Sequence, residues 1–149
     1  MDELVSRQMP HSTVAEQAVL GSALIDERCI PGIIEKLKPE DFYLRQNREL
    51  FETICSMFNY SETIDPVTIL EKMKQTGVYD ENTSYDYIRQ LMMTTPSAAN
   101  VEEYIGIVRD KSLLRQVAET AGAITGMVQE GSATAQEALE AAEQRIFAI

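Results

Sequence analysis

Apolar residues recur at helical spacing along most of the chain. Residues 14–25 hold Val14, Ala15, Ala18, Val19, Leu20, Ala23, Leu24 and Ile25. A segment apolar on nearly every side predicts a helix buried in the middle of its domain. Thr13 and Glu16 have the spacing of a capping box, with Thr13 as N-cap and Glu16 reaching back to it. Gly21 weakens such a helix by ~1 kcal/mol relative to alanine, so a close approach by another helix is expected there. A short second helix is predicted over 27–37, buried through Ile30, Ile33, Ile34 and Leu37, and broken by Lys38-Pro39-Glu40-Asp41. A third, over 45–59, carries the stripe Leu50, Phe51, Ile54, Met57 and Phe58. Asp65-Pro66 supplies an N-cap followed by proline at the first helical position, and Gly77 suits the C′ position of that helix. Ser84 is the expected cap of a helix over 85–94, buried through Ile88, Leu91 and Met92 and ended by Thr95-Pro96.

A long helix is predicted from residue 97 or 100 to 130, where Gly131 stops it. Thr134-Ala135-Gln136-Glu137 is a second capping box and opens a last helix over 135–148. About 30 residues at 1.5 Å rise give roughly 45 Å. That exceeds the ~26 Å diameter implied by a ~13 Å radius of gyration for 100 residues, so part of the long helix should project. Val101, Tyr104, Ile105 and Val108 share one side of it, while Leu114, Val117, Ala121, Ile124 and Val128 lie about half a turn away. The first set can pack on a globular core and the second must be covered elsewhere. The short link 131–133 favours an antiparallel hairpin, to which the last helix offers Ala138, Leu139, Ala142 and Ile146. Ala118, Gly122 and Gly126 recur every four residues, a spacing that lets backbones approach closely. No run alternates at period two. The expected fold is therefore all-α: a compact helical bundle of about five helices (13–99) followed by a protruding antiparallel helical hairpin (100–149), with a flexible arm at 1–12.

The final helix is too short and too rich in alanine to cover the second stripe. An apolar stripe of this kind marks a protein interface, and a two-fold pairing places the same stripe on both partners. Leu114, Val117, Ala121, Ile124, Val128, Leu139, Ala142 and Ile146 are thus the candidate self-association residues, serving hairpin packing, dimer packing or both.

Charge narrows the choice of partner. The chain has 24 acidic and 13 basic residues in 149, a net charge of -11. A domain this acidic is a poor ligand for a phosphate backbone, although a local basic spot can still make loose contact. A protein partner with a basic surface fits better. Cys29 and Cys55 sit among apolar residues and read as reduced core cysteines, as in a cytosolic protein, in preference to a disulfide. No run approaches the ~20 apolar residues of a membrane span, and the acidic N-terminus lacks an apolar signal core.

The sequence offers little catalytic chemistry. No G-x-x-x-x-G-K-[ST] phosphate loop is present, since Gly122 and Gly126 are followed by Met127-Val128. Cys29, Cys55 and His11 are too far apart in sequence for a zinc site. His11 reads as a solvated residue at a helix entry, and Glu40-Asp41 and Glu102-Glu103 as solvated carboxylates. Tyr85, Tyr87 and Tyr104 lie on apolar faces and are expected in the core. Asp41-Phe42-Tyr43 is either a loop whose aromatics close the core or part of a docking surface. No catalytic, cofactor-binding or metal-ligating residue is assigned.

Several fragments resemble the DnaB family of bacterial replicative helicases in order and spacing. Ala15-Glu16-Gln17-Ala18-Val19-Leu20-Gly21-Ser22 is similar to the family's first helix. Pro39-Glu40-Asp41-Phe42-Tyr43 is similar to its turn, Arg48-Glu49-Leu50-Phe51 to the following helix, and Ile64-Asp65-Pro66-Val67-Thr68 to the next helix start. Pro96 to Val101, with Tyr104, Ile107-Val108, Lys111 and Arg115, resembles the entry to the long helix, and Glu143-Gln144-Arg145-Ile146-Phe147 the close of the hairpin. Asn47 stands where the family often has histidine, and Asn59-Tyr60-Ser61-Glu62 lacks the glycine common before the Ile-Asp start. The resemblance implies a non-catalytic N-terminal collar domain of a hexameric helicase, pairing through its hairpins into a trimer of dimers and receiving the helicase-binding domain of primase. ATP and magnesium would belong to a RecA-like ATPase domain beyond Ile149. Two other classes remain open: a free-standing adaptor or a primase's own helicase-binding domain, and a helical enzyme using scattered carboxylates.

Overall fold

The computed structural model describes residues 9–149; the arm expected at 1–12 lies mostly outside the described residues. Among the described residues there are seven α-helices and no strand. They are α1 (Thr13–Ile25), α2 (Ile30–Lys36), α3 (Arg45–Asn59), α4 (Pro66–Thr76), α5 (Ser84–Thr94), α6 (Val101–Glu130) and α7 (Ala135–Phe147). Short 3-10 turns at Glu27–Cys29 and Pro39–Asp41 flank α2, so the single helix expected over 27–37 is a turn followed by a seven-residue helix. Pro31 sits at its second position and sets where it starts.

The chain divides into two compact units between Arg109 and Asp110. This boundary falls inside α6, not at residue 100. Val101, Ile105 and Val108 are buried in the core formed by α1–α5, so the first turns of α6 belong with that core. Its centre is Val19, Leu20, Ile33, Phe42, Phe51, Ile54, Ile69 and Leu91. The apolar envelope of α1 is not closed all round, because Val14 and Ile25 are exposed. Phe58 at the end of α3 and Tyr85 at the start of α5 are exposed too, while Tyr87 and Tyr104 pack against the core.

Gly21 has the neighbour that its cost implied. A Cβ there would lie 1.9 Å from Thr95 Oγ1 and 2.9 Å from the Leu91 carbonyl oxygen, so only glycine lets α1 and α5 approach this closely. Two helices end in paired bonds of the Schellman type. In α4, Gly77 takes φ 80° while its N–H and that of Val78 donate to the Lys74 and Met73 carbonyls. In α3 the left-handed position is Ser61, at φ 55°, with Ser61 and Glu62 donating to Phe58 and Met57. Ser61 thus holds a left-handed position that glycine most readily takes.

Helix starts follow local chemistry in three cases. Asp65 and Thr68 exchange side-chain and backbone bonds at the start of α4, and Thr134 and Glu137 do so at α7. At α1 the cap is Ser12, whose hydroxyl accepts from the Ala15 N–H at 3.1 Å, so Thr13 is the first helical residue and Glu16 is released for another task. Ser84 likewise does not cap α5; it is the first helical residue, and its hydroxyl accepts from the Asp80 N–H at 2.8 Å.

Candidate protein-interaction surface

Glu16 is the clearest polar feature of the core. Its side chain is buried in α1 and accepts from the Tyr43 N–H (2.8 Å), the Leu44 N–H (3.3 Å) and the Asn47 Nδ2 amide (2.9 Å). Tyr43 and Leu44 precede α3, so the carboxylate satisfies donors at a helix N-terminus, where negative charge is favoured. Asn47 Oδ1 in turn accepts from the Tyr87 hydroxyl, and burial pushes the Tyr87 phenol above its ordinary range. The network thus joins α1, the turn before α3, α3 and α5.

The Asp41-Phe42-Tyr43 turn is held from several sides. Phe42 is buried against Phe51 with ring centroids 4.9 Å apart. Asp41 is buried, not solvated, and accepts from the Lys38 N–H at 2.7 Å. Arg48 donates to the Phe42 and Tyr43 carbonyls. His11 stacks on the Tyr43 ring at 4.3 Å, so it is not simply solvated. Phe42 of this turn therefore closes the core, while Tyr43 is half-buried and stacked on His11.

Neither thiol is disulfide-bonded. Burial raises both, Cys55 to about 11, which keeps them protonated and poorly nucleophilic at neutral pH. Among the described residues no three or more His, Cys, Asp or Glu side chains converge as metal ligands. No described helix is long and apolar enough to cross a membrane.

In the second unit, α7 folds back along α6. Arg145, Ala148 and Ile149 share a surface depression with Gln116, Glu119, Thr120 and Ala123, which fixes an antiparallel arrangement. Thr120, Ile124 and Met127 on α6 and Ala138, Ala141 and Ala142 on α7 are half-buried and mark the seam. The Ala118, Gly122 and Gly126 row is exposed and meets nothing within 4 Å at its glycines, so it does not serve this seam. Arg115 is buried and donates to the Pro10 carbonyl at 2.8 Å.

The eight candidate self-association residues divide accordingly. Ile124 and Ala142 belong to the seam. Ala121 is exposed, and Leu114, Val117, Val128, Leu139 and Ile146 keep 51–67% of their surface in solvent. At 3.6 residues per turn, the exposed residues lie about 90° clockwise of the seam on each helix, viewed from N- to C-terminus. Antiparallel helices reverse the viewing sense, so equal rotations bring both stripes to one face of the hairpin. Phe147, 91% exposed, adds a further apolar side chain at the end of α7, outside the stripe that helical spacing marks.

The domain is thus all-helical, with a core locked by a buried polar network and an exposed apolar face on its two-helix unit. Residues 8–110 match the model of the DnaB-like helicase N-terminal domain, and the chain belongs to that family. The chain is 32% identical over its full length to the replicative DNA helicase DnaB of Rhodothermus marinus, covering 16% of that protein. It is 33% identical over 94% of its length to the Haemophilus influenzae DnaB, covering 30% of it. It therefore spans a third or less of these relatives. Among solved structures, the N-terminal domain of the Mycobacterium tuberculosis DnaB helicase matches with a TM-score of 0.88 at 29% identity, covering 95% of this chain and all of that one. The N-terminal domain of the Helicobacter pylori DnaB helicase shares the fold, with a TM-score of 0.67 at 23% identity over 77% of this chain and 89% of that one.

Proposed function

We propose that this chain is the collar domain of a hexameric replicative DNA helicase, joining subunits through its hairpin and receiving primase during DNA replication in the cytoplasm. ATP and magnesium are then the business of an ATPase domain elsewhere in the full protein. The observation that carries the reading is the shared apolar face of Leu114, Val117, Val128, Leu139 and Ile146, each more than half exposed. Covering the remaining surface of these five side chains is worth roughly 1 kcal/mol apiece, about 10 kcal/mol per two-fold dimer. That is of the size of the ~4–15 kcal/mol cost of association, so pairing of the isolated domain should depend on concentration. Primase as partner is supported by family membership and by the Helicobacter pylori domain, which has been described with its interactions with primase. The net charge of -11 argues against tight DNA binding by this domain itself.

The test uses residues outside the seam. Ile124→Asp would disturb hairpin and dimer together, whereas Val117→Asp with Val128→Asp leaves the hairpin packing alone. Sedimentation across 1–200 µM should show self-association of the wild type and a monomeric double variant with unchanged circular dichroism. A wild type that stays monomeric, or a double variant that pairs equally well, refutes the assignment.

A further inference from the structure

The first unit carries a second feature that self-association does not use. A groove of about 580 Å3 runs between the end of α2 and the first turns of α6, lined by Ile34, Glu35, Lys36, Lys38, Glu102, Ile105, Gly106 and Arg109. Most cations of this unit are already engaged. Arg28, Lys36, Arg45 and Lys72 pair with Asp26, Glu102, Glu49 and Glu62. Arg48 holds carbonyls and Lys74 lies over the Tyr79 ring. Lys38, Arg89 and Arg109 have no ion pair among the described residues, and two of the three, Lys38 and Arg109, line this groove. In a chain of net charge -11, a lining with three cations (Lys36, Lys38 and Arg109) against two carboxylates (Glu35 and Glu102) departs from the acidic balance of the whole.

Gly106 belongs to the same lining and shares with Gly122 and Gly126 the lack of any neighbour within 4 Å of a Cβ. Glycine in mid-helix weakens the helix and calls for a packing or functional reason. Gly21 has one, in Thr95 and Leu91. A Cβ on Gly106 would meet nothing within 4 Å, so no close approach within the chain explains it. It sits in the lining beside Ile105, where it leaves the groove open.

We propose that this groove docks an acidic segment of a protein partner, with a carboxylate between Lys38 and Arg109 and an adjacent apolar side chain against the half-buried Ile34 in the space left open at Gly106. A peptide is favoured over nucleic acid because the half-buried Ile34 suits an aliphatic side chain. Glu35 and Glu102 also stand against a continuous run of phosphates, while a single carboxylate needs only the two cations.

Panning a random twelve-residue phage-displayed peptide library on this chain should enrich Asp or Glu next to Leu, Ile or Val. The selected peptides, labelled and measured by fluorescence anisotropy, should bind the Lys38→Glu, Arg109→Glu double variant at least tenfold more weakly. Gly106→Leu, which fills open space, should have a similar effect with an unchanged circular dichroism spectrum. Equal binding by wild type and both variants, enrichment without acidic residues, or no selected binder overturns the proposal. So does a labelled twenty-residue oligothymidylate that binds the wild type and is lost in the double variant while peptide binding persists.

Discussion

Glu16→Ala removes the acceptor for three donors at once. The Tyr43 and Leu44 N–H groups and the Asn47 amide would lose their partner in a part of the core where Asn47 itself is fully buried. A hydrogen bond to a charged group contributes ~1.5–3 kcal/mol net, and a stranded buried donor costs ~1–3 kcal/mol. The long 3.3 Å bond to Leu44 counts for least, and the three are not additive, so the expected loss is about 3–6 kcal/mol. Against a total stability of ~5–15 kcal/mol, that brings the domain near unfolding. Glu16→Gln keeps one carbonyl oxygen but turns an NH2 toward a donor, and should lose about half as much. Urea denaturation followed by circular dichroism at 222 nm measures both. A Glu16→Ala variant within ~1 kcal/mol of wild type, or a Gln variant no more stable than the Ala variant, refutes the view that this carboxylate holds the start of α3.

Ser61→Gly should stabilise the chain by ~1 kcal/mol, because it relieves a left-handed backbone at the end of α3; a lower urea midpoint would contradict the strain. Gly21→Ala should destabilise by ~1–3 kcal/mol despite the better helix propensity, with partial recovery when Thr95→Ala is added; a more stable single variant would mean that α1 and α5 separate freely. Cys55 should resist alkylation at pH 8–9 in the folded chain and react readily in urea. Its thiol is raised from 9.0 to about 11, so its contribution to stability is whole below pH 9 and fades as pH rises toward 11; equal alkylation rates in folded and unfolded chain would overturn this. Labelled single-stranded DNA at moderate salt should show no saturation below ~10 µM, and submicromolar binding would reverse the reading of the charge.

Helix positions were legible in the sequence because their determinants are local. Asp65, Pro66, Gly77, Gly131 and Thr134 act within a turn of where they stand, and α3, α4 and α6 run as their signals prescribe. Most buried faces followed from spacing alone, and Gly21 announced a close contact before its partner was known. The family resemblance rested on the same local runs. What sequence could not settle was competition between equivalent local and distant partners. Ser12 and Thr13 are both good caps, and Ser12 holds that place, while Glu16 is drawn away by donors 27 to 31 residues along the chain. Val14, Phe58 and Tyr85 read as core because periodicity gives a direction and not what lies there. The apolar stripe of α6 was visible in the sequence, but which of its members meet α7 and which are left to a partner depends on the rotation of two helices about their seam. That rotation is a property of packing, and only the folded hairpin decides it.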